Sequence, residues 1–186
     1  MNTLTIILIL LSTICSFGQS GDYCGKKKGY TISEIKKRFP FDRTHTIKLV
    51  SFKHKYPVTQ ESDTVEVPYM EPEIPKTNGT VDMTKMFETK TLDQKLADKL
   101  LNILVNYDNE ERESEVAFCY EPRNGVVFID KTNRVIGYVE ICFDCLRYKV
   151  EPSTLTVTNF CSEKFEALKN IFKESGISYG TVRGVD

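Results

Sequence analysis

The chain has 186 residues, with 25 lysines and arginines against 26 aspartates and glutamates, and a formal net charge of −1. Its basic residues are scattered apart from short clusters at 26–28 and 36–38, so the positive patch that a nucleic-acid partner requires is not expected. Eleven Phe and nine Tyr, in a chain that is 40% hydrophobic, argue against a disordered segment and predict a globular domain.

An apolar segment extends from Leu4 to Ile14. Its length is typical of a signal-peptide core and too short for a transmembrane helix of about 20 residues. We therefore predict a signal peptide over residues 1–18, with cleavage after residue 20 as a variant. The remainder is expected to be exported, periplasmic or extracellular, soluble and without a transmembrane segment. A lipid anchor on Cys15 is the alternative, but Ile14 disfavours it because a lipobox has a small residue there.

Three helices are predicted from their caps and apolar periodicities, over residues 31–39, 92–106 and 162–175. Thr31 and Glu34 have the spacing of a capping box at the first helix, and Thr91 and Gln94 repeat it at the second. Gly176 follows the third helix at the position that favours a left-handed backbone. The last two helices should bury one apolar stripe each against a sheet, comprising Leu96, Leu100, Leu104, Phe165, Leu168 and Phe172.

Alternating or continuous apolar runs predict strands over residues 45–52, 81–90, 114–120, 125–130 and 134–143. The last two should form a hairpin near 125–143, because folding the chain about residues 132–133 places Asp130 opposite Val135. Four prolines and many polar residues predict a long surface loop near 55–80. The predicted fold class is a single α+β domain over residues 19–186, with a mostly antiparallel sheet and about three helices.

Five cysteines remain after the leader: Cys24, Cys119, Cys142, Cys145 and Cys161. Export exposes them to an oxidising compartment, so disulfides are expected, and the odd number leaves one thiol over. Cys142 and Cys145 form a CxxC motif, which in thioredoxin-type enzymes begins a helix whose dipole activates the thiol. The following residues read as extended chain, so we do not expect a catalytic couple.

Strand geometry limits how these cysteines can pair. Residues three apart in a continuous strand lie about 10 Å apart, so Cys142 and Cys145 can bond or share a metal only if the chain turns between them. The hairpin register, continued, brings Cys119 near Cys145 and leaves Cys142 and Cys161 as the second pair. We therefore predict a corner of four cysteines that forms two disulfides, with Cys24 as the odd thiol. A zinc site on the same four cysteines is the alternative.

Other candidates are less specific. Arg123 could serve as a cation beside the cysteines, although a turn residue with a surface ion pair is the commoner situation. His45 and His54 are expected to be surface or packing residues, since no nucleophile motif accompanies them. The acidic segment at 106–110 lacks the glycine and terminal glutamate of a calcium loop.

Three segments resemble a group of exported proteins from Bacteroidota-type bacteria that have no assigned activity. They carry the motifs CYxPR, EICFxC and a closing GIxYG, which here are residues 119–123, 140–145 and 176–180. The resemblance implies export and a recurring cysteine corner, and it implies no reaction.

Two functions follow from these observations. The first is an exported, non-enzymatic domain that binds a protein or envelope component and is stapled by disulfides. The second is a thiol-redox or zinc-binding protein that uses Cys119, Cys142, Cys145 and Cys161. We favour the first, with no catalytic residues and no cofactor, because the sequence contains no convincing catalytic constellation.

Overall fold

The structure is a computed structural model that describes residue 26 and residues 28–53, 73–108 and 120–182. The predicted signal peptide with Cys15, and also Cys24, His54 and Cys119, lie outside the described residues. The described elements are α1 (Ile32–Ile35), β1 (Thr46–Ser51), β2 (Lys76–Thr77), β3 (Thr80–Val81), a 3₁₀ helix (Met83–Lys85), β4 (Glu88–Thr91), α2 (Gln94–Asn106), β5 (Asn124–Ile129), β6 (Val135–Cys142), β7 (Arg147–Glu151) and α3 (Ser162–Glu174).

Five strands form an antiparallel sheet in the order β4-β1-β5-β6-β7, and β2 pairs with β3 in a separate small hairpin. This arrangement confirms the predicted α+β class with its antiparallel sheet and three helices. In the predicted β5–β6 hairpin, Asn124 lies opposite Ile141 and Phe128 opposite Gly137, which is the expected register. A bulge after Phe128 shifts the pairing by one residue near the turn.

Helices α2 and α3 pack on one face of the sheet. Five of the six predicted stripe residues are buried and Leu96 is partly buried, with the buried five being Leu100, Leu104, Phe165, Leu168 and Phe172. Burying each such side chain contributes roughly 1.5–3 kcal/mol, so the periodicity that predicted these helices also holds them to the sheet. None of the helices in the described ranges is both long and apolar enough to cross a membrane.

The opposite face of the sheet is also covered. Successive residues of β1 point to opposite faces, and Val50 on this second face packs with Phe52, Ile74, Val127 and Tyr138. Residues 73–86, which include the small hairpin, lie over this face and contribute part of its cover. The sheet is therefore the middle layer of the domain.

The helix boundaries differ from prediction at the C-terminal end of α1 and at the N-terminal end of α2. Thr31 and Glu34 do form the predicted capping box, but α1 has only four residues and the chain continues as turns to residue 43. The cap of α2 is Asp93, whose side chain accepts the N–H of Leu96, and not Thr91. Thr91 is paired with β1 as the last residue of β4, so it cannot serve as the cap.

The strand predicted over 81–90 is broken, and the cause is local. The carboxylate of Asp82 accepts hydrogen bonds from the N–H and hydroxyl of Thr84, which starts the 3₁₀ helix between β3 and β4. The last part of the loop predicted near 55–80 is a β-hairpin. Asn78 and Gly79, both with positive φ, form the turn that joins β2 to β3. Residues 54–72 of that loop lie outside the described residues.

Candidate functional site at one end of the sheet

Most of the candidate residues from the sequence that the structure describes lie at one end of the five-stranded sheet. They are Arg123, Cys142, Cys145 and the segment 176–180. Strands β1 and β6 end there, and β4, β5 and β7 begin there. Ser51 lies opposite both Glu88 and Asn124, and Cys142 lies opposite Arg147. We call the surface formed by these strand ends, the turn 143–146 and the segment 176–182 the sheet end.

The CxxC motif closes on itself at the sheet end. Cys142 and Cys145 are disulfide-bonded, with their Cα atoms 5.3 Å apart. Strand β6 ends at Cys142, and residues 143–146 form a turn, so the geometric condition for bonding within the motif is met. The predicted pairing of Cys142 with Cys161, and of Cys145 with Cys119, is therefore wrong.

The turn forms because its residues are held on both sides. Phe143 is buried and packs edge-to-face on Phe172 of α3, with ring centroids 5.3 Å apart. Leu146 takes a positive φ of 50°, which sends the chain back along β6 as β7. The predicted pairing of Cys119 with Cys145 assumed that β6 continues as far as Leu146. Strand β6 ends at Cys142, so the hairpin register does not extend to Leu146.

Strand β7, and not a helix, follows the cysteine pair, which confirms the expected extended chain after Cys145. Neither sulfur therefore lies at a helix N-terminus within the described residues, and the activating feature of thioredoxin-type couples is missing here. Cys161 lies elsewhere, as the N-cap of α3, and it is also disulfide-bonded. Its partner lies outside the described residues, so the four-cysteine corner stays a prediction.

Arg123 lies beside the cysteine turn. Its guanidinium is 3.9 Å from the carboxylate of Asp144 in the turn and 3.5 Å from that of Glu121. It also lies 5.9 Å from the centre of the Tyr179 ring. The structure thus brings Arg123 together with the Cys142–Cys145 pair, as a surface cation with acidic neighbours.

The closing GISYG segment, residues 176–180, is bonded to the sheet end through Glu88. The carboxylate of Glu88 accepts the Ser51 hydroxyl at 2.6 Å and the backbone N–H groups of Ser178 and Tyr179 at 3.0 and 3.1 Å. Burial opposes ionisation of Glu88, but these three donors outweigh it and lower its pKa. An ionised Glu88 therefore fixes the C-terminal segment to the sheet.

A close backbone approach fixes the other end of the same segment. Gly180 has a φ of +70°, and a Cβ there would lie 2.4 Å from Oδ1 of Asn124 and 2.9 Å from Cβ of Arg123. The side-chain amide of Asn124 donates to the carbonyl of Tyr179 at 2.9 Å. Only glycine fits at this position, which explains why the GISYG segment ends in glycine.

Apolar side chains are exposed on this surface. Among the described residues, the large hydrophobic side chains that are exposed are Phe87 (53%), Leu146 (48%) and Val182 (42%), and all three lie at the sheet end. Phe87 packs edge-to-face on Tyr179 at 5.3 Å, and the Lys53 ammonium lies 4.0 Å from the Phe87 ring centre. Apolar groups on one surface, rimmed by charges, are typical of interaction sites.

Sequence reasoning did not identify two buried charged groups away from the sheet end. The first, Glu140 in β6, accepts the Tyr120 hydroxyl at 2.7 Å and the backbone N–H of Ile74. Burial raises its pKa, and the two donors only partly offset this. Glu140 ties Ile74 and Tyr120 to the second face of the sheet. Alternation along β6 places Glu140 on the same face as the buried residues Tyr138 and Cys142. This pattern could have predicted from the sequence that Glu140 is buried.

The second buried group is Lys164 of α3. Its ammonium donates to five oxygens at 2.8–3.3 Å: the carbonyls of Leu104, Tyr107, Thr158 and Asn159, and the hydroxyl of Thr158. Leu104 and Tyr107 are at the C-terminal end of α2, where carbonyls lack helical partners and a cation is favourable. Burial lowers the pKa of Lys164 well below its usual range, and the five acceptors favour the ammonium. Its role is to join α3 to α2.

His45 lines a cleft of about 290 Å³ at the opposite end of β1. The cleft has an apolar floor that includes Phe41 and Leu101. Lys36 at its rim is already paired with Asp98 at 2.6 Å. His45 is an exposed residue there, as expected from the sequence.

The described ranges contain no group of three or more His, Cys, Asp or Glu side chains that could hold a metal ion. Comparison with protein-family models, curated proteins and solved structures finds no match. The resemblance to exported Bacteroidota-type proteins therefore stays a prediction.

Proposed function

We propose that this chain is an exported, non-enzymatic binding module that docks a protein or envelope component through the sheet end. The observation that carries the proposal is the gathering of Phe87, Leu146 and Val182 at one end of the sheet. Exposed apolar area costs roughly 25 cal/mol per Å², so covering these three side chains with one partner is favourable.

The dimensions of the surface support this proposal. Phe87 precedes the edge strand β4 and Leu146 precedes the opposite edge strand β7, four strand spacings away. Strands lie about 4.8 Å apart, so the two side chains mark a surface about 20 Å wide. A patch about 20 Å across has an area of roughly 300 Å², below the roughly 800 Å² that a standard interface buries on each partner, and it fits a small, transient interface.

Rigidity supports it as well. Glu88 holds the closing segment, Gly180 packs against Asn124, and the Cys142–Cys145 bond closes the turn that carries Leu146. Surfaces that are fixed before binding lose less conformational entropy on association. The Cys142–Cys145 disulfide thus acts as a structural part of a binding surface.

Site-specific photo-crosslinking in the exporting host tests the proposal. A photoreactive residue at position 87 or 146 should crosslink to one and the same partner. The matched control is position 132, an exposed residue in the β5–β6 turn at the opposite end of the sheet, which should give no such product. Equal products from all three positions, or none from 87 and 146, would contradict the proposal.

Export is part of the proposal and has its own test. Disulfides persist in oxidising compartments, so the bonded Cys142–Cys145 pair supports it. We expect N-terminal sequencing of the exported protein to begin after residue 18 or after residue 20. An acylated Cys15 at the N-terminus would contradict the predicted signal peptide.

A second candidate function is thiol chemistry at the CxxC motif, which the bond between Cys142 and Cys145 favours. Zinc binding would instead need these sulfurs as free thiolates. Thiol titration and metal analysis of the purified protein separate the candidates. The binding module predicts that Cys142 and Cys145 are fully blocked and that no zinc is bound, and the alternative predicts that a fraction of the purified protein carries the reduced pair as titratable thiols, or zinc.

A further inference from the structure

We infer that the Cys142–Cys145 disulfide is a thiol–disulfide exchange site, which external dithiols attack at the sulfur of Cys145. This inference goes beyond the binding function and does not depend on a docked partner. It rests on the unequal exposure of the two sulfurs, on the hydrogen bond at Cys142 and on the packing that surrounds the turn.

The two cysteines differ in access. Cys142 is 2% exposed, whereas Cys145 is partly exposed between two exposed residues, Asp144 and Leu146. Exchange requires a thiolate to reach one sulfur of the disulfide, so access selects Cys145. The Asp144 carboxylate would repel that thiolate, and the Arg123 guanidinium 3.9 Å away offsets this repulsion.

The buried sulfur has a feature that suits a leaving group. The backbone N–H of Cys145 donates to Sγ of Cys142 at 3.2 Å. A hydrogen bond to the charged form favours that form, so it stabilises the Cys142 thiolate as the bond breaks. Leaving thiols of lower pKa depart faster. Attack at Cys145 with departure of Cys142 is therefore the favoured direction.

The fold around the turn does not depend on this bond alone. Strands β6 and β7 remain joined by five residue pairs, from Cys142–Arg147 to Tyr138–Glu151. Phe143 stays packed on Phe172. Opening the disulfide releases a ring of four residues, so the reduced protein should keep its fold.

The exchange balances as a two-electron transfer. A dithiol loses a proton, and its thiolate attacks Sγ of Cys145, which forms a mixed disulfide and releases Cys142 as a thiolate that takes up a proton. The second thiol of the reagent then loses its proton and attacks the reagent sulfur that is bonded to Cys145. Cys145 leaves as a thiolate and takes up a proton. The reagent leaves as a disulfide, and the protein holds two thiols. None of the described helices begins at the pair, so we expect stoichiometric exchange and no efficient turnover in an insulin-reduction assay.

Cys161 provides an internal reference. It is also disulfide-bonded, but it is 1% exposed and forms the N-cap of α3. Direct attack at Cys161 therefore requires the N-terminal end of α3 to open, whereas direct attack at Cys145 does not.

The wild-type mature protein can be treated with increasing dithiothreitol without denaturant, quenched with acid and alkylated with N-ethylmaleimide. Trypsin places Cys142 and Cys145 in peptide 135–147 and Cys161 in peptide 150–164. We expect peptide 135–147 to gain two labels at a reagent concentration that leaves the domain folded. A peptide 135–147 that gains no label until the domain unfolds would overturn the inference.

Two matched variants locate the attacked sulfur. Cys142→Ser and Cys145→Ser lose the same bond and each keep one thiol of the pair. With glutathione disulfide, the Cys145 thiol of Cys142→Ser should form a mixed disulfide about tenfold faster than the Cys142 thiol of Cys145→Ser. Equal rates, or a faster Cys142, would refute attack at Cys145. The wild-type measurement stands if either variant fails to fold.

Discussion

Replacing Cys145 with alanine should cost the domain about 2 kcal/mol of unfolding free energy. The substitution breaks the disulfide, leaves the buried sulfur of Cys142 in place and adds no buried hydroxyl. The closed ring contains four residues, for which the chain-entropy relation gives about 2 kcal/mol. A bond between Cys145 and Cys119 would close about 27 residues and give about 3.5 kcal/mol by the same relation.

Urea unfolding of the oxidised wild type and of the variant at pH 7 measures this difference. Cys142→Ala is the companion variant, because it also removes a buried sulfur and should cost about 1 kcal/mol more than Cys145→Ala. Equal stability of wild type and Cys145→Ala, or a loss of 3.5 kcal/mol or more, would refute a bond confined to the turn. A smaller cost for Cys142→Ala than for Cys145→Ala would refute the burial of Cys142.

Three polar groups, the half-buried Glu88 and the buried Lys164 and Glu140, give further predictions, each measured by urea unfolding. Glu88→Gln should cost about 2 kcal/mol at pH 7 against less than about 0.5 for exposed Glu174→Gln. Because the pKa of Glu88 is lowered, this difference should be present above pH 4.5 and vanish as the pH falls through the lowered pKa; no pH dependence would contradict it. Lys164→Met should cost about 3 kcal/mol or more by leaving buried carbonyls unpaired, while exposed Lys173→Met should cost less than about 0.5; similar costs would refute the role of Lys164. The pKa of Glu140 is raised, so its contribution is present below pH 4.5 and is lost as the pH rises through the raised pKa, and Glu140→Gln should gain stability relative to wild type over that rise. A constant difference would contradict that expectation.

The parts of the fold set by periodicity were predictable. The stripe through Leu100 and Leu104 identified α2, and the alternation in the hairpin gave the register of Asn124 against Ile141. These signals depend on burial of one face, which many residues report together. The strand register is well determined for the same reason, because a slip of one residue would turn the apolar side chains of the strand to the opposite face.

Features decided by one or two contacts were not predictable in the same way. Thr91 and Asp93 are both good cap residues, and sheet pairing of Thr91 decides between them. The bond within the CxxC motif depends on a turn that Leu146 makes with a positive φ, in a segment without glycine or proline. The sheet end is assembled from five strand ends, so its exposed apolar side chains have no local signature in the sequence.

Both the binding surface and the exchange site require that Cys142 and Cys145 are bonded to each other in the exported protein. A non-reducing tryptic map of the mature protein, alkylated before digestion, tests this most directly. We predict that peptide 135–147 appears alone, unlabelled and lighter by two hydrogens than its reduced form. Recovery of that peptide joined to the peptide that contains Cys119 or Cys161, or carrying two alkylated thiols, would contradict it.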